Sequence, residues 1–333
     1  MRSLTLVSIP LLALATGANG QSPSAQNRIC DRVEVAFTIA DSTLVPEGIA
    51  HDPVSGSFFV SSTFQRKVVR VDIDGNATDF VAPRAHGLLG AVGMKVDAAR
   101  RVLWVASSHA GDGMPMIEAG EVTVGTSALH AFDLEGGRLL RSFVLSPNPE
   151  RYFLNDLVVD SSGSVYVTDT QRSLIVRADL QADSLEIFAD LSAVGRPNGI
   201  MFDDTGILYA SVPEGIARID PVTRDASLLP AAEGVTWAWA DGIVWHDGGI
   251  IGIQGSEGSP VRWYGLDPAR GRIVSQRSLL DSHPALEQPT TGVIAEGALY
   301  VIANSHLQTF RRAYGGERAD PMWSATILRI CLR

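Results

Sequence analysis

Cysteine is scarce in this chain: two in 333 residues, Cys30 and Cys331, one near each end. No HExxH run and no Cys/His cluster occurs, which argues against a zinc site. Basic clusters are missing too. The formal net charge is −10, so nucleic acid is a poor partner and a small cation a reasonable one. There is no GxSxG for a serine hydrolase ("GSEGSP" is a turn), no GxxxxGK[ST] and no dinucleotide fingerprint. Helical periodicity is absent as well. Past residue 20 no apolar run is long enough to cross a bilayer, so no membrane association is expected of the mature form.

The first twenty residues, "MRSLTLVSIPLLALATGANG", are the exception. One early Arg2, a short apolar middle and small residues before Gln21 read as a secretory leader cleaved near Gly20. A retained membrane anchor fits less well, because the run is short. The expectation is a leader over 1–20, a single domain over 21–333, and a secreted or periplasmic protein. "NAT" at Asn76 matches a glycosylation sequon whose meaning depends on the host.

What the chain has in quantity is a repeat. "PEGIAHD", "AVGMKVD", "LNDLVVD", "PNGIMFD", "ADGIVWH" and "TTGVIAE" align at Glu47, Val92, Asn155, Asn198, Asp241 and Thr291. A second β-rich run follows each ("SFFVSS", "VLWVASS", "SVYVTDT", "ILYASV", "GIIGIQG", "ALYVIANS"), then a third, and in five units a fourth. Four short strands repeated six times predict an all-β, six-bladed β-propeller. The last unit lacks a fourth strand, while "RVEVAFTIA" at Arg32–Ala40 precedes the first unit unassigned. That strand is expected to complete the last blade, bringing Cys30 beside Cys331. A bridge there closes nearly the whole mature chain, stabilising it by roughly 5 to 6 kcal/mol at most.

The first strand of each blade lines a propeller's axis, so the six aligned positions should form a ring. Glu47, Asn155, Asn198 and Asp241 carry oxygens suited to a hard divalent cation, Ca²⁺ before others. Asn-Gly and Asp-Gly are also turn dipeptides, and any one of them alone reads as a turn. Four at one phase of a six-fold repeat favour the ring.

With "PEGIAHDPVSGSFFV", "LNDLVVDSSGSVYV", "RPNGIMFDDTGILY" and "ADGIVWHDGG", the mature chain resembles the SMP-30/gluconolactonase/LRE-like calcium-dependent six-bladed propellers. Regucalcin-type lactonases belong to that family; paraoxonases and diisopropyl-fluorophosphatase are similar in architecture. The resemblance implies Glu47, Asn155, Asn198 and Asp241 as metal ligands, with Asp241 also the general base or nucleophile. The sugar lactonases carry an Arg two residues before the first Asn, where Phe153 stands here. An acidic sugar-binding residue in the following loop has no counterpart around "DTQRS". A lactone or ester more apolar than gluconolactone is therefore the expected small-molecule partner.

Further candidates for substrate contact are Phe153, His109, Trp239 and Thr291. A lone His is more often structural, and Trp237 and Trp239 before Asp241 read as core packing or as an aromatic wall. The long second repeat holds "SSHAGDGMPMIEAGEVTVGTS", a lid with Met114 and Met116 or a solvated insertion. The competing functions are a metal-dependent lactonase or esterase and a non-catalytic propeller with a structural ion. Phosphotriester hydrolysis and a strictosidine-synthase-like condensation are variants of the first. Oligomeric state is not written in the sequence.

Overall fold

Each of the six repeats builds one antiparallel sheet of four strands in the computed structural model of the chain. The structure describes residues 33–111, 117, 120–254, 261–307 and 324–332. The expected leader, Cys30 and the Met114/Met116 segment lie outside the described residues. The described residues open on β1 (Val33–Ile39), and the first blade follows from β2 (Pro46–His51), β3 (Phe58–Ser62), β4 (Lys67–Val71) and β5 (Ala77–Val81). The second blade is β6 (Gly90–Asp97), β7 (Val102–Ser108), β8 (Ser127–Asp133) and β9 (Leu139–Leu145). The third is β10 (Leu154–Val159), β11 (Val165–Asp169), β12 (Leu174–Ala178) and β13 (Glu186–Asp190). The fourth is β14 (Ile200–Phe202), β15 (Leu208–Val212), β16 (Gly215–Ile219) and β17 (Ala226–Leu228). The fifth is β18 (Gly242–His246), β19 (Gly249–Ile253), β20 (Val261–Leu266) and β21 (Ile273–Leu280). The last holds β22 (Gly292–Ala295), β23 (Ala298–Ile302) and β24 (Ala325–Cys331), with β1 as its outer strand.

The first strands touch in cyclic order, β2 to β6, β10, β14, β18, β22 and back to β2, so the ring closes. Closure is by β1 against β24, with Val33 opposite Ile330, as the unassigned N-terminal strand predicted. Glu34 and Arg329 pair across that seam at 3.0 Å. No helix of the described residues is long and apolar enough to cross a membrane.

Burial falls from the axis outwards. Every residue of β7, β11, β15, β19 and β23 is buried, because each of these second strands has a sheet on both faces. The outer strands β5, β13 and β17 are largely exposed. The apolar core is divided accordingly into six main clusters, each drawn from two adjacent blades. Between the second and third blades, Trp104, Leu129 and Phe143 meet Leu157, Val167 and Val176. Far from the first-strand mouths, turns lock neighbouring blades by charge. Arg101 grips the buried Asp52 of the preceding blade with contacts of 2.6 and 3.0 Å. Burial pushes the Asp52 carboxyl up, but Arg101, Ser55 and the Val54 amide together hold it far below the usual carboxylate range.

His130, on β8, is 1% exposed, and its Nε2 has no hydrogen-bond partner among the described residues. Its Nδ1 lies 3.2 Å from Ser142 Oγ. Burial, with His86 nearby, depresses its pKa from 6.5 to about 4. The unfolded chain therefore binds the extra proton first as pH falls. Stability is full above about 6.5 and declines towards pH 4, by roughly 3 kcal/mol in all from this one group. Urea unfolding at pH 7 and pH 4.5 is expected to show that decline, and His130→Leu to remove it. An unchanged slope in the variant would assign acid sensitivity elsewhere.

Candidate metal centre

The six aligned residues do meet. Glu47, Val92, Asn155, Asn198, Asp241 and Thr291 line one cavity on the axis, together with Gly93, Asp156 and Thr290. The space open to the centre of a water-sized particle is about 10 Å³, room for one such occupant.

Local backbone explains how side chains at the start of a strand face the axis. The β2–β3 register slips between Pro46 and Ile49, β6–β7 between Ala91 and Met94, and β10–β11 between Leu154 and Leu157. Each irregularity spans a ring residue, and such bulges re-aim a side chain while the ladder continues. In the fourth and fifth blades the ring residue sits just ahead of the strand; the Asp241 amide still bonds to Ile253 O at 2.8 Å.

The glycine that follows five of the six ring residues has a different cause from the turn that Asn-Gly suggests. A Cβ on Gly93 would lie 2.5 Å from Asn155 O and 2.7 Å from Asp156 Cα. On Gly199 it would meet Asp241 O and Ile243 N, both at 2.8 Å. Neighbouring first strands pass too close for any side chain there, and this closeness keeps the tunnel narrow. Hydroxyls pin the same turns, those of Ser61 and Thr168 from second strands and that of Thr290 from just ahead of β22. Ser61 accepts from Gly48 N and donates to Val92 O, both at 2.7 Å. Thr168 accepts from Asp156 N at 3.1 Å and donates to Asn198 O at 2.8 Å. Thr290 donates to Glu47 O at 2.9 Å.

Asp156 is the functional candidate that the sequence reading missed. Five repeats place Gly after the ring residue, at Gly48, Gly93, Gly199, Gly242 and Gly292, and the third places an acid. That outlier was the available signal. Its Oδ1 accepts from Leu157 N at 2.8 Å and its Oδ2 from Ile200 N at 3.3 Å, so the carboxylate ties the third and fourth blades. Burial raises its pKa, against the pull of Lys95 and these two amides.

Asp241 receives a hydrogen bond from Asn198 Nδ2 to its Oδ1. Burial pushes Asp241 up to about 7, opposed by that amide and reinforced by the Asp156 carboxylate. Asn155 donates its Nδ2 to Thr170 Oγ1 at 3.0 Å, and Thr170 donates to Pro197 O at 2.6 Å. The amide nitrogen of Asn155 is thus committed to the protein, which leaves Oδ1 as its ligating atom. Among the described residues no three His, Cys, Asp or Glu side chains group to hold a metal by themselves. The donor set is mixed: carboxylates of Glu47 and Asp241, amides of Asn155 and Asn198, and Asp156 behind them. Hard oxygen donors around room for one atom, with burial opposing the ionisation of Asp156 and Asp241, fit a Ca²⁺-class cation.

The remaining candidates fall outside the cavity lining. Phe153, half-buried two residues before Asn155, donates its amide to Asp169 Oδ1 at 3.0 Å. Trp239 is 44% exposed, two residues before Asp241. Trp237 instead packs on Tyr264, with ring centroids 5.0 Å apart. His109 is buried; burial first, then Arg66, holds its pKa down, with Glu121 opposing. Thr291 alone of the four substrate candidates lines the cavity.

No family model matches the chain, and no curated protein matches it. Solved structures do. A gluconolactonase from Xanthomonas campestris is 17% identical with a TM-score of 0.58, covering 92% of this chain and 96% of that one. A calcium-binding regucalcin from Agrobacterium tumefaciens is 18% identical with a TM-score of 0.57, covering 89% and 93%. The PQQ-bound aldose sugar dehydrogenase from Streptomyces coelicolor is 16% identical with a TM-score of 0.58, covering 90% and 97%. At these identities the likeness establishes the architecture: the chain is a six-bladed β-propeller of the kind that also carries lactonases and dehydrogenases.

Proposed function

We propose that the chain is a divalent-cation-dependent hydrolase of lactones or related esters. The observation that carries the reading is the convergence of Glu47, Asn155, Asn198 and Asp241, from four different blades, on a cavity with room for one ion. Likeness to a gluconolactonase and to a calcium-binding regucalcin supports the choice of reaction and of Ca²⁺. A cation held by these four residues would supply electrophilic polarisation of the substrate carbonyl.

The chain's own groups do the rest. Asp241, in its ionised form, takes a proton from the attacking water or attacks the acyl carbon itself. Asn198 holds its Oδ1 and so fixes which oxygen faces the reaction. Water adds to the acyl carbon, the acyl C–O bond breaks, and a hydroxy acid (or acid plus alcohol) leaves. Phe153 and Trp239, near the ring residues in sequence, suit an apolar substrate body better than a sugar.

A panel of lactones and aryl esters assayed with and without EGTA tests the reading. Activity that chelator abolishes and Ca²⁺ restores is expected; chelator-insensitive turnover would place the chemistry elsewhere. Ca²⁺ at a hundred times its Kd should raise folding stability by about 2.7 kcal/mol, seen as an increase in Tm. Glu47→Gln should abolish most of that increase. The small size of the cavity also favours a second reading, a propeller whose ion is structural. Calcium-dependent stability with a blank substrate panel would select it. Export and the Cys30–Cys331 bridge belong to the same proposal; N-terminal sequencing and non-reducing peptide mapping of the purified protein test them.

A further inference from the structure

We propose that the other end of the tunnel is a second small-molecule site, built for a carboxylate with an apolar body. Past the ring residues the first strands diverge and enclose a cavity of about 370 Å³. That volume falls within the range of sites that bury small organic ligands, whereas the metal centre offers about 10 Å³. Its walls come from all six blades: Val96, Val158, Phe202, Val244, Trp245 and Ile294 are representative, and all are apolar.

Two titratable side chains break the apolar lining, Lys95 and His51. Burial holds His51 below its ordinary pKa, against Glu296 and Asp52, which favours the uncharged ring. Lys95 is thus the fixed positive charge of the cavity. Its ammonium makes no ion pair or hydrogen bond among the described residues, while its main chain pairs with β7 opposite Trp104. Asp156, further up the tunnel, feels its field without forming a salt bridge with it. Of the carboxyls near the rim, Asp52 is gripped by Arg101 and Asp97 by Arg100, while the exposed Glu296 acts on His51. A part-buried ammonium with no partner in an apolar chamber favours a single negative charge on an apolar ligand. A carboxylate on a short alkyl or aryl body meets both demands.

The chamber is also preformed. The Arg270 guanidinium stacks 4.9 Å from the Trp245 ring and is anchored by Asp203 at 2.7 Å. The His51 ring rests on Phe58, with centroids 4.7 Å apart. Little side-chain ordering is left for a ligand to impose, and that favours affinity.

Octanoate, 1-octanol and octylamine titrated into the full-length protein by calorimetry test the site. Saturable octanoate binding is expected, at least tenfold tighter than 1-octanol, with octylamine weaker still. Each methylene from butanoate to octanoate should add about fourfold in affinity. Lys95→Met should lose at least tenfold while keeping the wild-type circular dichroism spectrum, and Ala98→Phe, which intrudes on the same cavity, should lose it too. Asp241→Asn should bind octanoate as wild type does, because that residue sits at the opposite end. Absence of saturable binding, 1-octanol equal to octanoate, or undiminished binding in folded Lys95→Met overturns the proposal. Should either cavity variant fail to fold, the three wild-type titrations decide it. None of these readouts depends on turnover, so a failed hydrolase assay leaves the result standing.

Discussion

Asp241→Asn is expected to lower kcat/KM for any lactone or ester substrate by roughly 10²-fold to 10⁴-fold, the span that a positioned base supplies. The reasoning starts from shape. Asn is nearly isosteric with Asp, and the turns that carry the neighbouring cavity residues are pinned by hydroxyls outside it, such as Thr168 on Asn198 O, so the ring should not rearrange. What the change removes is the anion; the side-chain oxygen of the new Asn can still accept from Asn198 Nδ2. Because burial and Asp156 raise the Asp241 pKa to about 7, replacing it by a neutral amide should cost the apo fold little. The Tm without calcium should therefore stay within a few degrees of wild type, while the calcium-induced increase shrinks. Activity at more than a tenth of wild type would remove Asp241 from the chemistry. A collapsed Tm would show instead that the residue holds the ring together.

Gly93→Ala is expected to destabilise the protein by about 3 kcal/mol or more, enough to leave much of it unfolded or insoluble. Its Cβ would meet two backbone atoms, Asn155 O and Asp156 Cα, and backbone cannot rotate aside as a side chain can. Two first strands would have to separate, loosening Asn155 from its place in the ring. Gly215→Ala is the control: the nearest heavy atom to its new Cβ is a Leu228 side-chain carbon at 3.7 Å. It should lie within about 1 kcal/mol of wild type or be slightly more stable. Equal effects from the two substitutions, measured by urea unfolding, would refute the close-approach explanation.

The contrast between those glycines shows what sequence could and could not convey. Strands and blades were legible because each is local: an apolar run of five to eight residues, a turn, another run. The missing fourth strand of the last repeat was legible by subtraction, and β1 against β24 supplied it. The ring was legible because six-fold repetition assigns every first strand the same phase, so Glu47 and Asp241 could be placed together across the chain. Contacts between blades carry no such period. Nothing local marks Asp156 as a brace between β10 and β14, apart from its being the one residue where the other repeats have Gly. The apolar cavity around Lys95 was invisible for the same reason, since its walls are the far ends of strands that read only as core. Phe153 and Trp239 stand two positions from ring residues, yet neither lines the cavity, whose lining beyond the ring is Gly93, Asp156 and Thr290.

Pairing of the first strand with the last also sets an order of events. Until β24 has been synthesised, β1 has no partner and the sixth sheet has no rim, so a nascent chain carries five sheets in an open arc. Glu47 and Asp241 belong to the first and fifth of these, which flank the sixth sheet and are brought together only once the arc shuts. Their donor set is therefore a product of the finished polypeptide: any fragment ending before Ala325 should bind calcium feebly, however well its individual sheets have formed.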